Sequence, residues 1–210
     1  MLKVKLVLAV LISILPLNIL RVLGYRLLGY RIRGSIGFGT VIAVSKAHVE
    51  KCKIGWFNLF VGPMSVEIGI HASVGNRNTF SCGFWTTQEQ YRDKNYARAL
   101  QIGENTLITS GHYFDVAGSF GLGDGSWIAG VGSQFWTHGV GVSDRNIAIG
   151  QNCYLGSAVR FAPGSAIGDH VLVAMGSVVT EKIEASHVMV AGVPARVIKN
   201  DYDWHRADKS

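Results

Sequence analysis

One histidine lies where the sequence departs from an otherwise regular pattern. His138 occurs in the stretch FWTHGVGVSDRNIAIG, residues 135–150, between a Trp-Thr pair and a run of turn-forming residues. The pKa of an ordinary imidazole lies near 6.5, so His138 is suited to accept a proton from a reacting group at neutral pH. The stretch therefore predicts a general base at His138, and the alternative is an exposed loop histidine that hydrogen-bonds to solvent.

Further polar residues near this stretch are candidates for the same site. His112 occurs in TSGHYFD, and Asp144 follows His138 in the same loop. Asp144 could orient the imidazole of His138, because a general base needs its other ring nitrogen held, but an Asx turn in VSDRN would also explain an aspartate there. His112 is predicted to line the same cleft, as a substrate contact or as an alternative base. The other histidines are expected on the surface or at corners: His48, His71, His170, His187 and His205.

The regular pattern around the His138 loop is a repeat of six residues. After the loop, apolar side chains recur at every sixth position: Ile149, Leu155, Phe161, Ile167, Val173 and Val179. A step of six matches neither the 3.6-residue period of a helix nor the alternation of one long strand, and it is typical of a parallel β-helix. The chain also has 26 glycines in 210 residues, about 12% against the usual ~7%.

The same step continues upstream and is interrupted twice. It runs from Ile36 to Phe80 and again from Ile102 to Ile128, whereas residues 81–101 and the loop around His138 lack it. The sequence therefore predicts an all-β solenoid over residues 34–200, with two loop excursions. Roughly seven coils would make it about 33 Å long at ~4.8 Å per stacked strand. Residues 201–210 are interpreted as a C-terminal tail.

Residues 1–33 differ from the rest of the chain. They include an apolar run from Leu6 to Leu20 and six basic residues without an acid, equal to the whole chain's formal net charge of +6. The run is shorter than the ~20 residues that span a bilayer, so we predict a hydrophobic helix that lies on an anionic membrane surface. A cleaved signal peptide and a helix that packs on the open end of the solenoid are the alternatives. Because the excess charge lies outside the solenoid, nucleic acid is not an expected partner.

The three cysteines do not form a disulfide framework or a metal-binding motif. Cys153 occupies a small-residue position of its repeat and is interpreted as core filler. A reduced protein at the cytoplasmic face of the inner membrane, attached peripherally or as a monotopic protein, agrees with this composition.

Most of residues 34–200 resemble the hexapeptide-repeat acyltransferases. The resemblance rests on IGQNCYLGSAVRFAPGSAIGDHVLVAMGSVVT (149–180), on the ending AGVPARVIK (191–199) and on the THG tripeptide that contains His138. It implies a left-handed parallel β-helix, a homotrimer, and transfer of an acetyl group from acetyl-CoA to a hydroxyl or amine of a sugar. Residues 1–33 and 81–101 lie outside the general pattern.

The resemblance also implies roles for individual residues. His138 would take the proton of the attacking hydroxyl without a covalent enzyme intermediate, and Asp115 would hold the acceptor, unless it only caps a corner. Trp85 and Trp136 could stack on sugar rings or cover the edge of the β-helix. The positions that match the coenzyme A site are Ser157, Ala158, Ala174, Met175, Thr180, Arg196 and Lys199. Relatives usually have a small residue where Met175 stands.

The predicted function is an O-acetyltransferase that uses acetyl-CoA to modify a sugar of a cell-surface polysaccharide or of its lipid-linked precursor. A nucleotide-sugar N-acetyltransferase and a non-catalytic, membrane-tethered β-helix scaffold are the alternatives. No metal is predicted. A zinc-dependent carbonic anhydrase on the same scaffold is not expected, because the sequence has no closely spaced pair of histidines.

Overall fold

Short strands wind into a solenoid in the computed structural model, which describes residues 2–94 and 96–207. The helices are α1 (Leu2–Ser13), α2 (Asn18–Leu27) and α3 (Trp204–Ala207). The strands are β1 (Arg31–Ile36), β2 (Val41–Ile54), β3 (Leu59–Ile68), β4 (Ser73–Val74), β5 (Thr79–Ser81), β6 (Ala99–Ile102), β7 (Leu107–Ile108), β8 (Tyr113–Asp115), β9 (Ser119–Leu122), β10 (Trp127–Ile128), β11 (Gln134–Phe135), β12 (Ile147–Ile149), β13 (Tyr154–Leu155), β14 (Arg160–Phe161), β15 (Ala166–Ile167), β16 (Leu172–Val173), β17 (Val178–Val179), β18 (Lys182–Ile183), β19 (Met189–Gly192) and β20 (Ala195–Lys199).

Three strands complete one coil. From β4 to β19, a strand pairs in parallel with the strand three places along the chain, as β10 does with β7 and β13. The apolar residues of the repeat point inward and stack from coil to coil. One such stack consists of Ile36, Ile54, Val74, Ile108, Ile128, Leu155, Val173 and Val190, all buried. The predicted all-β solenoid is confirmed.

A second inner stack is aromatic. The rings of Phe60, Phe80, Phe114, Phe135 and Phe161 follow one another with centroid separations of 4.4, 4.4, 4.7 and 5.3 Å. Each ring is at most 1% exposed, and burial of a large aromatic side chain is worth about 1.5–3 kcal/mol. A one-residue slip would turn these rings toward solvent, so the stack fixes the register of β8 against β11.

Both predicted excursions leave the solenoid. The first follows β5, forms two 3-10 helices (Phe84–Thr87 and Glu89–Lys94) and returns at β6. The second lies between β11 and β12 and contains His138. Between the two excursions the six-residue step shifts by two residues, from Phe120 to Leu122, because β9 buries both of these side chains.

The apolar N-terminus forms two helices rather than the single helix predicted. The break falls near Pro16, which lacks an amide hydrogen and disfavours a helical residue before it. The strands also begin earlier than the expected boundary at residue 34, because β1 starts at Arg31. Within residues 2–94 and 96–207, no helix is long and apolar enough to cross a membrane.

The two helices pack on the first coil of the solenoid. The Tyr25 hydroxyl is fully buried, donates to the Thr40 carbonyl (2.6 Å) and accepts from the Ile42 amide (3.3 Å). Arg21 is also buried, and its Nε donates to the Ile36 carbonyl (2.9 Å). One side of the helices therefore packs on the open end of the solenoid, as one of the alternatives predicted. The other side exposes apolar side chains: Val4, Val7, Leu8, Val10, Leu11, Ile14, Leu17, Ile19, Leu20, Leu23 and Leu27.

The predicted C-terminal tail is attached to the solenoid by Trp204. Its Nε1 donates to the Asn152 carbonyl (2.6 Å), and its ring contacts Trp127 and Tyr154. The tail thus covers part of the outer surface near β10 and β13. Residues 208–210 lie outside the described part of the chain.

Candidate active site

The centre of the candidate site is the buried carboxylate of Asp115. Asp115 ends β8, directly after Phe114 of the aromatic stack, and its side chain is 5% exposed. Oδ2 of Asp115 accepts hydrogen bonds from the amide (2.9 Å) and the hydroxyl (2.7 Å) of Thr137. A buried carboxylate needs such donors, because burial removes the water that would solvate its charge.

The same carboxylate oxygen contacts His138. Nδ1 of His138 lies 2.8 Å from Oδ2 of Asp115. An ionised carboxylate only accepts, so Nδ1 is the donor and the neutral ring has its lone pair on Nε2. The His138 side chain is 39% exposed, and the described residues form no hydrogen bond with its Nε2. Nε2 is thus exposed and able to accept a proton, while Asp115 holds Nδ1 from the buried side of the ring.

The first excursion covers one side of this histidine. The ring of Trp85 meets the imidazole of His138 edge to face, with centroids 5.4 Å apart. Tyr91 and Tyr96 each lie 5.1 Å from Trp85, and the guanidinium of Arg145, from the second excursion, lies 4.7 Å above the Tyr96 ring. The two excursions therefore meet beside His138 through aromatic and cation–π contacts.

A cleft of about 480 Å³ separates the two excursions beside this cluster. Its walls combine aromatic, charged and small residues, a composition that suits a hydroxylated ligand better than an apolar one. The lining residues are Tyr91, Asp93, Lys94, Tyr96, Gly141, Val142, Ser143 and Arg145.

Asp144 does not orient the imidazole. Its carboxylate binds Lys182 (2.8 Å), and its Oδ1 accepts from the amide of Asn146 (3.2 Å), which is the Asx turn considered for VSDRN. These two contacts, the lysine first, lower the pKa of Asp144. Asp115 takes the orienting position, because the parallel register places β8 directly beside β11.

His112 is built into the scaffold. It is 2% exposed, its Nδ1 accepts from the Ser133 amide (3.1 Å), and its Nε2 contacts the Thr109 hydroxyl (3.0 Å). Burial lowers its pKa to about 4, so the ring is neutral at pH 7. The structure does not bring a free nitrogen of His112 to His138.

His112 belongs to a polar ladder at one corner of the solenoid. In this ladder, the Asn78 amide donates to Asn58 Oδ1 (2.9 Å), and the His112 amide donates to Asn78 Oδ1 (2.9 Å). Each step satisfies a buried backbone group of the next coil.

The second tryptophan lies on a different surface. Trp136 is 38% exposed and packs on Tyr113 (4.9 Å), on the outer face of β8 and β11. The structure therefore places Trp85, and not Trp136, against the imidazole.

Most positions that match the coenzyme A site lie at the two edges of this outer face. Ser157 and Ala158 precede β14, Ala174 and Met175 precede β17 at the same corner, and Thr180 follows β17. The Gly176 amide donates to the Ser157 carbonyl (2.9 Å), which joins the two corner segments. The side chain of Met175 is 75% exposed.

The two cations of this set are separated. Arg196 forms an ion pair with Glu181, the neighbour of Thr180 (2.6 Å). Lys199 lies opposite Met189 at the other end of the β19–β20 hairpin, 4.9 Å from the Tyr202 ring. The structure therefore brings Arg196, but not Lys199, toward Thr180.

Three contributors to the site were not predicted: Thr137, Tyr91 and Tyr96. The two tyrosines have a signal in the sequence, since YRDKNYAR concentrates aromatic and charged residues in the first excursion. Thr137 has none, because its role depends on its contact with Asp115 of the neighbouring coil. The cysteines take no part: Cys52, Cys82 and Cys153 are free and buried, and burial raises the pKa of Cys82 to about 11.

The described residues contain no group of three His, Cys, Asp or Glu side chains that could hold a metal ion. Among the described residues, Asp115 is the only acid close enough to form an ion pair with His138.

No protein-family model matches this chain. A segment of 61 residues, 28% of this chain, is 48% identical to galactoside O-acetyltransferase of Escherichia coli (strain K12) and spans only 30% of that protein. A longer match of 169 residues is 28% identical to the protein of the same organism named as lipopolysaccharide biosynthesis O-acetyl transferase WbbJ. It covers 75% of this chain and 84% of the relative.

Solved structures share the fold. The hexapeptide-repeat containing acetyltransferase of Vibrio cholerae is 19% identical, with a TM-score of 0.54 over 96% of this chain and 93% of that chain. The polySia-specific acetyltransferase NeuO is also 19% identical, with a TM-score of 0.53 over 83% and 78% of the two chains. The predicted resemblance is confirmed: in sequence this chain is similar to O-acetyltransferases, and in fold to hexapeptide-repeat acetyltransferases.

Proposed function

We propose that this protein is an O-acetyltransferase that moves an acetyl group from acetyl-CoA to a sugar hydroxyl, with His138 as general base. The observation that carries the proposal is the 2.8 Å contact between Nδ1 of His138 and the buried carboxylate of Asp115. It leaves Nε2 with a lone pair at the surface, and Trp85 connects this histidine to two tyrosines that line the cleft. The names of the sequence relatives support the reaction class.

In this proposal the base acts directly on the acceptor. Nε2 of His138 removes the hydroxyl proton while the oxygen forms a bond with the thioester carbonyl carbon. The carbon–sulfur bond then breaks, and the imidazolium returns its proton to the leaving thiolate of coenzyme A. Asp115 stabilises the transient positive charge on the ring and keeps the ring oriented. No cysteine is required as a nucleophile, in agreement with the raised pKa of Cys82, about 11.

The donor would lie along the outer face of β11, β14 and β17, between the Ser157 corner and the His138 loop. Coenzyme A is long and anionic, and small residues at the corner leave room for it. Arg196, which is paired with Glu181, lies near Thr180. A single solenoid supplies only one wall of such a groove. We therefore propose a left-handed β-helix assembled as a homotrimer, with each donor site at a contact between subunits.

The acceptor would occupy the cleft between the excursions. Tyr91 and Tyr96 line the cleft and provide aromatic faces for a sugar ring, and its charged residues provide hydrogen bonds. Trp85 packs on both tyrosines and on His138. We propose a sugar of a cell-surface polysaccharide or of its lipid-linked precursor, because a membrane-attached enzyme would meet a lipid-linked acceptor at the bilayer.

Membrane attachment is proposed from the outer side of α1 and α2. Val7, Leu11 and Ile14 are 62%, 56% and 55% exposed, and such a contiguous apolar surface marks an interaction site. The basic residues contribute less than the sequence suggests, because Arg21 is buried and Arg33 pairs with Glu50 at 3.3 Å. With three free thiols, the cytoplasmic face of the inner membrane is the proposed location.

The catalytic part is tested by the release of free coenzyme A from acetyl-CoA in the presence of a panel of mono- and oligosaccharides. We expect release with at least one acceptor, together with a mass increase of one acetyl group on a hydroxyl of the product. His138→Ala is the matched control. Transfer to an amine only would favour N-acetylation, and the absence of transfer to any sugar would leave a scaffold role.

The membrane part is tested with the full chain, because β1 starts at Arg31 and deletion of residues 1–33 would open the first coil. The triple variant Val7→Gln, Leu11→Gln, Ile14→Gln should lose most of its flotation with lipid vesicles. Val131→Ser, at an exposed position far from the helices along the axis, is the control. A wild-type chain that does not float with any vesicle contradicts membrane attachment without affecting the catalytic proposal.

A further inference from the structure

One corner of the solenoid changes its chemistry along the axis. From the helices outward, the stacked pairs of residues at this corner are Phe38–Gly39, Trp56–Phe57, Asn76–Arg77, Ser110–Gly111, Val131–Gly132, Ser157–Ala158 and Met175–Gly176. Backbone hydrogen bonds join neighbouring pairs: the Phe57 amide donates to the Phe38 carbonyl (3.0 Å), and the Arg77 amide to the Trp56 carbonyl (2.9 Å). Only the two pairs nearest the helices contain aromatic residues. We call Phe38, Trp56 and Phe57 the corner aromatics.

The corner aromatics are exposed although the backbone there favours small residues. Phe38, Trp56 and Phe57 are 39%, 60% and 47% exposed. Phe57 has φ +56°, in the left-handed region, where the matching position of four other coils is glycine (Gly39, Gly111, Gly132 and Gly176). A bulky residue is disfavoured in that region. The Phe57 ring meets the Phe38 ring edge to face, with centroids 5.9 Å apart, and 47% of Phe57 is still exposed. An external partner would explain both features.

The corner aromatics adjoin the apolar helices. The Gly39 amide donates to the carbonyl of Ser13, the last residue of α1 (2.8 Å). Exposed Ile14, Leu17 and Ile19 follow directly in the α1–α2 connection and the first turn of α2. The apolar surface therefore continues from the helices onto the first two coils at this corner.

The charges beside the corner aromatics have one sign. Lys53 precedes Trp56 by three residues, and Arg77 is the next residue of the corner; both are exposed. At this corner the order along the axis is exposed apolar residues of the α1–α2 connection, then aromatic rings, then Arg77. A bilayer presents the matching order of acyl chains, interface and anionic phosphates, and aromatic residues favour the interfacial layer.

We propose that Phe38, Trp56 and Phe57 insert into the interface of an anionic bilayer, with Lys53 and Arg77 at the lipid phosphates. The first two coils would then touch the membrane together with α1 and α2. This inference rests on the membrane attachment proposed above, and it defines which corner of the helix end of the solenoid meets the lipid.

The test compares full-length variants by flotation with vesicles of phosphatidylcholine alone or with phosphatidylglycerol. The variant Phe38→Ser, Trp56→Ser, Phe57→Asn keeps a residue that tolerates the left-handed backbone at position 57. We expect at least about tenfold weaker vesicle binding for this variant, since each buried ring contributes more than tenfold. Val131→Ser, at the same corner in a later coil, should bind as the wild type does. Circular dichroism and unchanged acetyl transfer to a soluble acceptor would show that the variant is folded.

Tryptophan fluorescence gives an independent measurement. Vesicles with phosphatidylglycerol should shift the emission of the wild type to shorter wavelength, and brominated acyl chains should quench it; Trp56→Phe should lose both effects. If the wild type floats and the triple variant floats equally well, the inference is wrong while the attachment by the helices stands. If the triple variant instead changes the oligomeric state in sedimentation, the corner aromatics are a contact between copies of this chain.

Discussion

Asp115 and His138 lie side by side, with Oδ2 and Nδ1 2.8 Å apart, because β8 and β11 are neighbours in the parallel sheet. The pairing of Phe114 with Phe135 fixes this neighbourhood from inside the solenoid. A buried apolar stack thus determines the geometry of a polar pair on the surface. Each member of the pair can be tested separately.

His138→Ala should lower kcat by about 100-fold or more, because a positioned general base contributes about that factor. The affinity for acetyl-CoA should change little, since the donor positions from Ser157 to Arg196 lie outside the His138 loop. Steady-state kinetics and calorimetric titration with acetyl-CoA check the two parts. Retained activity in this variant, with loss in His112→Ala, would transfer the role to His112.

Asp115→Asn should be nearly as inactive as His138→Ala, although the shape of the side chain is kept. The asparagine amide can donate to Nδ1, which moves the ring proton to Nε2 and removes the lone pair that would accept the substrate proton. The double variant should be no slower than His138→Ala alone. An additive loss in kcat would show that Asp115 acts on the acceptor rather than through the histidine.

Trp85→Ala should raise the acceptor KM by about three- to tenfold, because Trp85 packs on the two tyrosines of the proposed acceptor cleft and the change removes about one aromatic contact. The matched control is Phe84→Ala, because Phe84 is the neighbouring residue of the same 3-10 helix and is 42% exposed. Kinetics with a soluble oligosaccharide separate the two variants. Equal effects of both changes would indicate a general distortion of the excursion.

His112→Asn should make stability less sensitive to acid. Burial lowers the folded pKa of His112 from 6.5 to about 4, so between these pH values the unfolded chain binds the proton and the folded chain does not. Folding is therefore favoured above pH 6.5, and this contribution of His112 is lost as the pH falls toward 4. Asparagine already serves at two positions of the same polar ladder, Asn58 and Asn78, and does not titrate.

The measurement is denaturant unfolding at pH 7 and pH 5, at one protein concentration for both chains. The wild type should lose more free energy of unfolding between the two values than the variant does. The full contribution of His112 is at most about 3 kcal/mol. Identical pH dependence would mean that His112 is protonated in the folded state.

The fold was predictable because the spacing of apolar residues within each repeat indicates the strand and corner that the repeat forms. The six-residue step places Phe114, Phe135 and Phe161 in the core whatever the rest of the chain does, and both excursions appear where the step fails. The two N-terminal helices were harder to predict, because an exposed apolar side and a buried one have the same composition.

The site was only partly predictable, because its contacts join different coils. His138 stands out by its position in a loop, but the choice between Asp115 and Asp144 depends on which strand lies beside β11. Sequence distance favours Asp144, which is six residues from His138, over Asp115, which is 23 residues from it. In space Asp115 is the neighbour, because it lies on the next coil. Likewise, the burial of His112 follows from the ladder and not from its neighbours in the chain.

The number of coils sets the distance along the axis between the helices and His138. Four strand pairings separate β2, in the first coils beside the helices, from β11, which leads into His138. Four steps amount to about 19 Å. If the helix end rests on the bilayer, the base works at that fixed height, and sugars next to the lipid lie below its reach. Acetyl groups mapped by mass spectrometry along a lipid-linked glycan should then be absent from the sugar nearest the lipid and should begin further out.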